Sequence, residues 1–523
     1  MSESRDLTAE RPELTELRRR IHATTDEGRP DAVARRRKTG QRTTRENIAD
    51  LVDHDSFIEY GGLALAAQRQ RHNVEELVKN SPADGFVAGI GTINAAQFGR
   101  EKARSMVLAY DYTVFAGTQG GMGHKKLDRM LALAAQWRLP IVLFAEGGGG
   151  RPNDTDMPWV AGLDTPGFLR FAALSGVAPR VGIVSGRCFA GNAVLLGSCD
   201  VIIATENSNI GMAGPAMIEG GGLGVCKPEE IGPIDVQSKN GVVDIRVADE
   251  AEAVAAAKKY LTYFQGALPT WTHADQTKLR DVLPERRRRA YKIRPVIELL
   301  ADTDSVLELR KEFGLGIVTA LVRIEGKPLG LIANNPYHLG GAIDTDAADK
   351  AARFMQLCDT FGLPILSLCD TPGFMVGPKA ETTALVRHAS RMFAVAGSLR
   401  VPFLTVVLRK GYGLGAQAMA GGHFHAPFFT ISWPTGEFGG MGIEGAVNLA
   451  LKKQLAALET PEEREQMFQM AVAYAYDRGK AISTASFLEI DGVIDPADTR
   501  KWILRALTSV PEPGPRKAML DTW

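Results

Sequence analysis

A chain of 523 residues is long for one hydrophobic core and points to about two to four domains. Hydrophobic residues make up 45% and charged residues 23%, ordinary values for a globular protein. Lys+Arg and Asp+Glu both total 61, so bulk charge gives no argument for nucleic acid or for an anionic membrane.

Residues 1–35 read as a charged, helix-prone extension without an apolar face long enough for a core. They carry no secretory signal pattern, and no apolar run in the chain approaches the roughly 18 residues of a spanning helix. Cysteines stand at 188, 199, 226, 358 and 369 with no Cys-x-x-Cys pair, so a zinc ribbon or redox dithiol is unsupported. A sparse, odd set fits a reducing compartment, and the expected location is cytoplasmic.

A compact region opens near Ser56-Phe57-Ile58-Glu59. The apolar runs 86–90 and 106–110 predict strands. Leu127, Met130, Leu131, Ala134 and Ala135 recur at helical spacing and predict a helix over 125–137. Strands at 141–145 and 181–184 follow, with a helix between them. Pro269, Pro284 and the run Arg286–Arg289 mark a change of composition, which places the boundary between a first domain, 36–283, and a second, 284–523. Beyond it, strands are predicted at 316–322, 329–333, 365–369 and 401–408, with a helix over 347–361 and a helix-rich tail from Pro461. Strands alternating with helices argue for α/β layers. The basic runs at 35–38 and 286–289 read as solvated or interface faces, with the binding of an anionic group such as a phosphate as the other reading.

The second domain repeats the plan of the first. Leu139-Pro140 leads the strand 141–145 into Glu146 and four glycines; Leu363-Pro364, 224 residues on, leads 365–369 into Asp370-Thr371-Pro372-Gly373. Gly191 and Gly415 stand at the same spacing. One offset held over about fifty residues is read as an internal duplication. In each copy a strand runs into a glycine-rich turn, 188–191 or 411–415, and then into a small-residue helix. Small residues let a ligand approach the backbone. The first N–H groups of a helix lack internal partners and stabilise negative charge. Two of them aimed at one oxygen form an oxyanion hole. The bland reading of either turn alone is a tight junction; both at one place in both copies favour function.

Other signals are weaker. Gly411-Tyr412-Gly413-Leu414-Gly415 lacks the last spaced glycine of a dinucleotide turn, and no P-loop is present. Asp-Thr-Pro-Gly-Phe occurs at 164–168 and at 370–374, 206 residues apart, so the copies are not equivalent in the duplication. His423-Phe424-His425 reads as structural, and no metal site is expected. Glu146 and Asp370 sit at strand ends as capping carboxylates or as an acid or base. No nucleophile–base–acid set stands out, which favours backbone donors and a carried cofactor.

From about residue 35 onward the chain resembles the carboxyltransferase (β) subunits of biotin-dependent acyl-CoA carboxylases, of the propionyl- and methylcrotonyl-CoA type. The resemblance rests on Arg42-Thr43-Thr44-Arg45-Glu46-Asn47-Ile48, Asp55-Ser56-Phe57-Ile58-Glu59, Asp111-Tyr112-Thr113-Val114-Phe115-Ala116-Gly117, and Gly147–Arg151 where the family has "SGGAR". In the second half it rests on Ala333-Asn334-Asn335-Pro336, Lys350-Ala351-Ala352-Arg353-Phe354, Asp370–Phe374 and Arg409–Gly413. It implies two tandem crotonase-like domains. CO2 would pass from carboxybiotin, carried on a partner biotin carboxylase/carrier (α) subunit, to the α or vinylogous carbon of an acyl-CoA. Ala190 and Gly191 would hold the thioester oxygen, with Gly148, Gly149 and Arg151 on the acyl-CoA. Leu414 and Gly415 would hold the biotin ureido oxygen, with Phe374, Tyr412 and Gln417 around the biotin. The biotin nitrogen would take the α-proton, so no protein base is needed and no metal enters. In the family, the two halves of one site come from different subunits of a dimer, usually within a homohexamer, a trimer of dimers.

Departures from the family's pattern leave alternatives open. The family commonly has Gly-Gly at Ala190-Gly191 and Gly-Ala at Leu414-Gly415, and an acidic residue often stands where this chain has Gln417. Residues 413–419 look closer to branched, unsaturated acyl-CoA members, which leaves the acyl chain open. No Met-Lys-Met biotin site and no Cys₄ module is present. The rivals are a biotin-dependent decarboxylase or transcarboxylase, and a non-catalytic scaffold in a mixed ring.

Overall fold

The computed structural model describes residues 10–158, 160–510 and 518–523. Residues 1–9 of the expected extension lie outside that range. The remainder of it holds the helices Pro12–His22 and Pro30–Arg37, and the second is anchored by the buried Arg36. The chain forms two compact units that part between Gln265 and Gly266. Residues 266–283 go with the second: Leu268 N–H donates to Gly326 O at 3.0 Å, and Leu279 lies in that unit's core.

The first unit carries strands β1 (Ile58–Tyr60), β2 (Phe86–Thr92), β3 (Arg104–Tyr110), β4 (Ile141–Phe144), β5 (Arg180–Val184), β6 (Arg187–Phe189), β7 (Val201–Thr205), β8 (Asn209–Gly211) and β9 (Ile245–Val247). Seven form one sheet in the order β1-β2-β3-β4-β5-β7-β9, and β6 pairs separately with β8. β1, β2 and β3 are antiparallel neighbours, and every later pairing is parallel. β4, β5 and β7 are buried along their whole length, as continuous apolar runs in a covered parallel sheet are. The helix Gly121–Trp137 seats Leu127, Met130, Leu131 and Ala134 in the core beside Met106 and Leu108. It starts four residues before the predicted start at Lys125.

The second unit carries β10 (Leu307–Leu309), β11 (Ile317–Ile324), β12 (Lys327–Asn334), β13 (Ile365–Thr371), β14 (Phe403–Tyr412), β15 (Phe429–Ser432), β16 (Glu437–Gly439) and β17 (Gly492–Val493). Its sheet order is β10-β11-β12-β13-β14-β15-β17, with β16 on the end of β14. The orientations repeat those of the first unit, antiparallel twice and then parallel throughout. The helix Thr345–Phe361 is capped by the Asp344 carboxylate, which accepts the Ala347 N–H at 3.0 Å, and ends at Gly362 in the left-handed conformation. Its Lys350 and the first unit's Lys126 stand 224 residues apart. Both are buried and reach backbone carbonyls, Phe313 O for Lys350 and Ala83 O and Phe86 O for Lys126.

The duplication differs at the strand that leads to the turn. In the second unit β14 runs unbroken for ten residues into Tyr412. In the first the same path is cut. β5 ends at Val184, Gly186 turns with φ +88°, and β6 resumes for three residues. A Cβ on Gly186 would lie 2.5 Å from the Glu146 carboxylate, so only glycine fits that corner.

Candidate active site

In the first unit, β6 delivers the chain to Ala190 and then to the helix Gly191–Gly197. Ala190 adopts φ +50°, ψ −122°, a conformation that glycine takes without strain and alanine does not. Its N–H donates to Gly211 O at 3.2 Å, and Val194 N–H closes the first helical turn on Ala190 O at 2.9 Å. Among the described residues the Gly191 N–H meets no acceptor.

The glycine cluster lies against this turn. Phe189 N–H donates to Gly147 O at 2.9 Å, and Gly147 N–H to Arg187 O at 2.8 Å. Gly148 N–H donates to Ala116 O at 3.2 Å. The Gly149 N–H is taken by the Asn192 carboxamide, whose own N–H reaches Gly117 O at 3.2 Å. A Cβ on Gly149 would come within 2.7 Å of the Ala190 methyl, so the cluster is glycine because the turn sits on it. The structure therefore brings Gly149 against Ala190 and Gly191, while Gly148 lies against Ala116 and Thr118.

The Arg151 side chain turns away from solvent and is 4% exposed. It pairs with Asp84 and with Asp154, whose Oδ1 takes Nε at 2.9 Å, and its Nη1 is buried without a partner. Burial raises the Asp84 carboxyl above its usual range. For Asp154 burial acts the same way but is outweighed by Arg151 and the Gly121 N–H, which hold it low. Arg151 thus ties the glycine cluster to the start of the helix Gly121–Trp137.

In the second unit, β14 ends at Tyr412 and the helix Gly413–Met419 follows at once. The N–H groups of Leu414 and Gly415 meet no acceptor among the described residues. The Leu414 side chain is 64% exposed. A Cβ on Gly415 would lie 2.6 Å from Gly373 and 2.9 Å from the Phe374 nitrogen, so Phe374 is brought to the turn. Tyr412 packs beneath the helix with Ile443, Val447 and Val472, and its hydroxyl donates to Glu437 at 2.9 Å. Burial, then Glu437, raises its pKa far above the usual phenol value. Gln417 and Gly413 line a cavity of about 600 Å³, walled by Phe424, Phe438, Tyr474 and Arg478. His423 and His425 stand at its edge, where His425 N–H donates to His423 Nδ1 at 3.0 Å.

The strand-end carboxylates are both held by arginine. Glu146 takes Arg36 Nη1 at 2.9 Å and Nη2 at 2.6 Å. Asp370 takes Arg409 Nε at 3.1 Å and Nη2 at 3.0 Å, and accepts the Lys410 N–H at 3.1 Å. Each closes a junction beside a turn rather than facing open space. No cluster of three or more His, Cys, Asp or Glu among the described residues could hold a metal ion. No helix among them is long and apolar enough to cross a membrane.

Sequence reasoning set aside the repeated Asp-Thr-Pro-Gly-Phe because its spacing broke the duplication. The structure puts both copies at a turn. Phe168 lies 3.0 Å from where a Gly191 Cβ would stand, as Gly373 and Phe374 lie against Gly415. Asn192 and Gln119, which also line the first turn, carried no signal beyond their place beside it.

This architecture, two sheets of like order each ending a strand in a turn with free N–H groups, is that of the crotonase-fold carboxyltransferases. The carboxyl transferase domain model matches residues 35–514. The chain is 31% identical over 511 residues to the methylmalonyl-CoA carboxyltransferase 12S subunit of Propionibacterium freudenreichii subsp. shermanii, covering 95% of this chain and 93% of that one. It is 31% identical over 517 residues to the biotin-dependent long chain acyl-coenzyme A carboxylase beta4 subunit of Mycobacterium tuberculosis, covering 96% and 94%. Among solved structures it superposes on a single-chain, multi-domain long-chain acyl-CoA carboxylase with a TM-score of 0.90 and 59% identity. That match covers 95% of this chain and 49% of the other, so the chain spans about half of that carboxylase. The transcarboxylase 12S hexamer, solved with methylmalonyl-CoA bound, matches with a TM-score of 0.84 and 28% identity over 97% of this chain. The chain belongs to the carboxyl transferase family, as a biotin-dependent acyl-CoA carboxyltransferase.

Proposed function

We propose that the chain carboxylates long-chain acyl-CoA, taking CO2 from carboxybiotin carried on a partner biotin carboxylase/carrier chain. The carrying observation is the pair of turns, Ala190-Gly191 and Leu414-Gly415, placed alike in two halves of like topology. The acyl length rests on the 59% identity to a long-chain carboxylase, against 31% to the methylmalonyl-CoA enzyme. Met212, one residue past the carbonyl that takes the Ala190 N–H, is 71% exposed and offers an apolar side chain next to the first turn.

At the first turn the thioester oxygen gains charge as the α-carbon loses its proton. Gly191 supplies a preformed donor, and Ala190 a second as its 3.2 Å bond to Gly211 yields. At the second, the free N–H groups of Leu414 and Gly415 suit a ureido oxygen, and the cavity beside Gly413 and Gln417 has room for a bicyclic ring. Carboxybiotin supplies the CO2 and the nitrogen that accepts the proton. Gly148 and Gly149 let the thioester lie against the backbone. Arg151, in this reading, holds the acyl-CoA side indirectly, through the cluster it anchors. Phe374 closes over the biotin ring, with Tyr412 as its buried support. A homohexamer is proposed, as in the 12S transcarboxylase, and the free, mostly buried cysteines support a cytoplasmic location.

The test is carboxylation with labelled bicarbonate, ATP and a charged biotin carrier, over acyl-CoAs from acetyl through 3-methylcrotonyl to long-chain. Label on long chains is expected; label on propionyl-CoA alone would overturn the assigned length. Gly191→Pro, which removes the free donor, should lower the rate at least about tenfold. The 12S relative favours a second reading, a transcarboxylase in which an acyl-CoA rather than bicarbonate supplies the carboxyl group, which would proceed without ATP.

A further inference from the structure

Gln119 occupies a place at the first turn that the assigned holes leave out. It is 5% exposed, in the short segment that leads into the helix Gly121–Trp137 and bridges Gly150 of the glycine cluster. Its backbone is fixed on both sides: its N–H donates to Gly149 O at 2.7 Å, and its carbonyl accepts the Arg151 N–H at 2.8 Å. One end of its carboxamide lies 3.0 Å from the Tyr110 hydroxyl. The other end lies over Gly191, 2.4 Å from where a Cβ there would stand, and meets no hydrogen-bond partner among the described residues. This is a second reason for glycine at 191: any side chain would collide with the amide.

As assigned, Nε2 donates to Tyr110 and Oε1 faces the turn. The heavy-atom positions do not distinguish the two ends of a carboxamide; the hydrogen bonds do. With Nε2 as donor, the buried Tyr110 hydroxyl keeps its own proton with no acceptor, which is costly. Turning the amide by half a revolution repairs this. The Tyr110 O–H then donates to Oε1, and Nε2 points across Gly191. A phenol can serve as donor or acceptor, so nothing else has to move.

We propose that Gln119 is a side-chain donor of the first oxyanion hole, oriented by the Tyr110 hydroxyl so that Nε2 meets the thioester oxygen as it gains charge. This rests on the acyl-CoA reading of that turn. It gives the hole a donor that backbone geometry does not, beside an Ala190 N–H already engaged with Gly211. The second unit has nothing equivalent, because the residue 224 on from Gln119 is Ile343, an apolar residue.

The experiment compares wild type, Gln119→Met and Gln119→Glu in the labelled carboxylation with the charged carrier, from pH 6 to 8.5, with the melting temperature of each. Gln119→Met keeps the volume and removes the polarity. Gln119→Glu still accepts from Tyr110 but turns an acceptor toward the oxygen. The expected result is a kcat at least about tenfold lower for Gln119→Met with KM within about threefold, and a lower kcat still for Gln119→Glu at high pH. Protonation of the introduced carboxylate restores a donor, so the ratio of Gln119→Glu to wild type should rise as pH falls. A structural role would reverse the order, with Gln119→Glu near wild type and Gln119→Met worse in melting temperature. That order, or a Gln119→Glu ratio flat with pH, overturns the inference. A wild-type complex that labels no acyl-CoA overturns the proposed function and this inference with it; a working wild type beside unaffected variants overturns this inference alone.

Discussion

The Asn192 carboxamide accepts the Gly149 N–H at 3.0 Å, so the helix that begins at Gly191 also holds the glycine cluster packed against it. Asn192 is fully buried, and its N–H reaches Gly117 O on the far side of the cluster. Three segments that surround the first turn meet at one amide.

Asn192→Ala leaves a buried N–H and a buried carbonyl unpaired. The expected cost is on the order of 2 kcal/mol in stability, measured by urea unfolding. The rate for acyl-CoA should fall with it, because Gly149 sets the wall against Ala190. An unchanged unfolding midpoint would show that water replaces the amide.

Ala190 carries the opposite liability. Its positive φ is a glycine conformation, and strain of this kind costs roughly 1–3 kcal/mol. Ala190→Gly relieves it but loosens the unfolded chain by roughly 0.5–1 kcal/mol. A net gain of about 1 kcal/mol is expected, seen as a rise of about 2–4 °C in melting temperature. A lower melting temperature would mean that the methyl contact with Gly149 outweighs the strain.

Asp370 is 0% exposed in its side chain and Arg409 5% exposed, so the pair is closed to solvent. Asp370→Asn strands the guanidinium. Stability should drop by about 3–5 kcal/mol, while the pH dependence of kcat in the surviving enzyme stays where it was. A shifted pH–rate limb would make the carboxylate an acid or base after all.

Lys126 gives a pH-dependent term. Burial lowers its pKa from 10.5 to about 8. Below about pH 8 both folded and unfolded chains are protonated, and the cost of burying the ammonium is fully present. Between about 8 and 10.5 the unfolded chain binds the extra proton, so stability rises with pH. The unfolding free energy of wild type relative to Lys126→Met should therefore climb by on the order of 3 kcal/mol across that window. A flat difference would place the amine in water.

Much of the fold was legible because it rests on periodicity. Continuous apolar runs named the parallel strands, and one offset tied Gly191 to Gly415 and Leu139 to Leu363. The cut between β5 and β6 was not legible, because it depends on what Gly186 would strike, a residue forty positions away in sequence. Nor was the role of the two Asp-Thr-Pro-Gly-Phe strings. One string runs off the end of β13 and the other leads into the helix Gly167–Ala172, so they reach their turns from different elements and no shared offset links them. Arg151 and Tyr412 were named by motif. Of their buried partners Asp154 stands only three residues on, but Asp84 and Glu437 come from distant segments that no local pattern announces.

The broken strand of the first unit has a mechanical consequence. The second turn is mounted on a ten-residue beam that crosses its sheet and is braced by β13, β15 and β16. The first hangs from a three-residue bracket, β6, joined to β8 beyond a glycine corner. On the proposed assignment of the two turns, compliance belongs to the side that accepts acyl groups of different bulk, and stiffness to the side that meets one unvarying ring. Backbone amides of Arg187–Phe189 should exchange with deuterium well before those of Leu408–Tyr412, and a bound acyl-CoA should slow the first set while leaving the second almost unchanged.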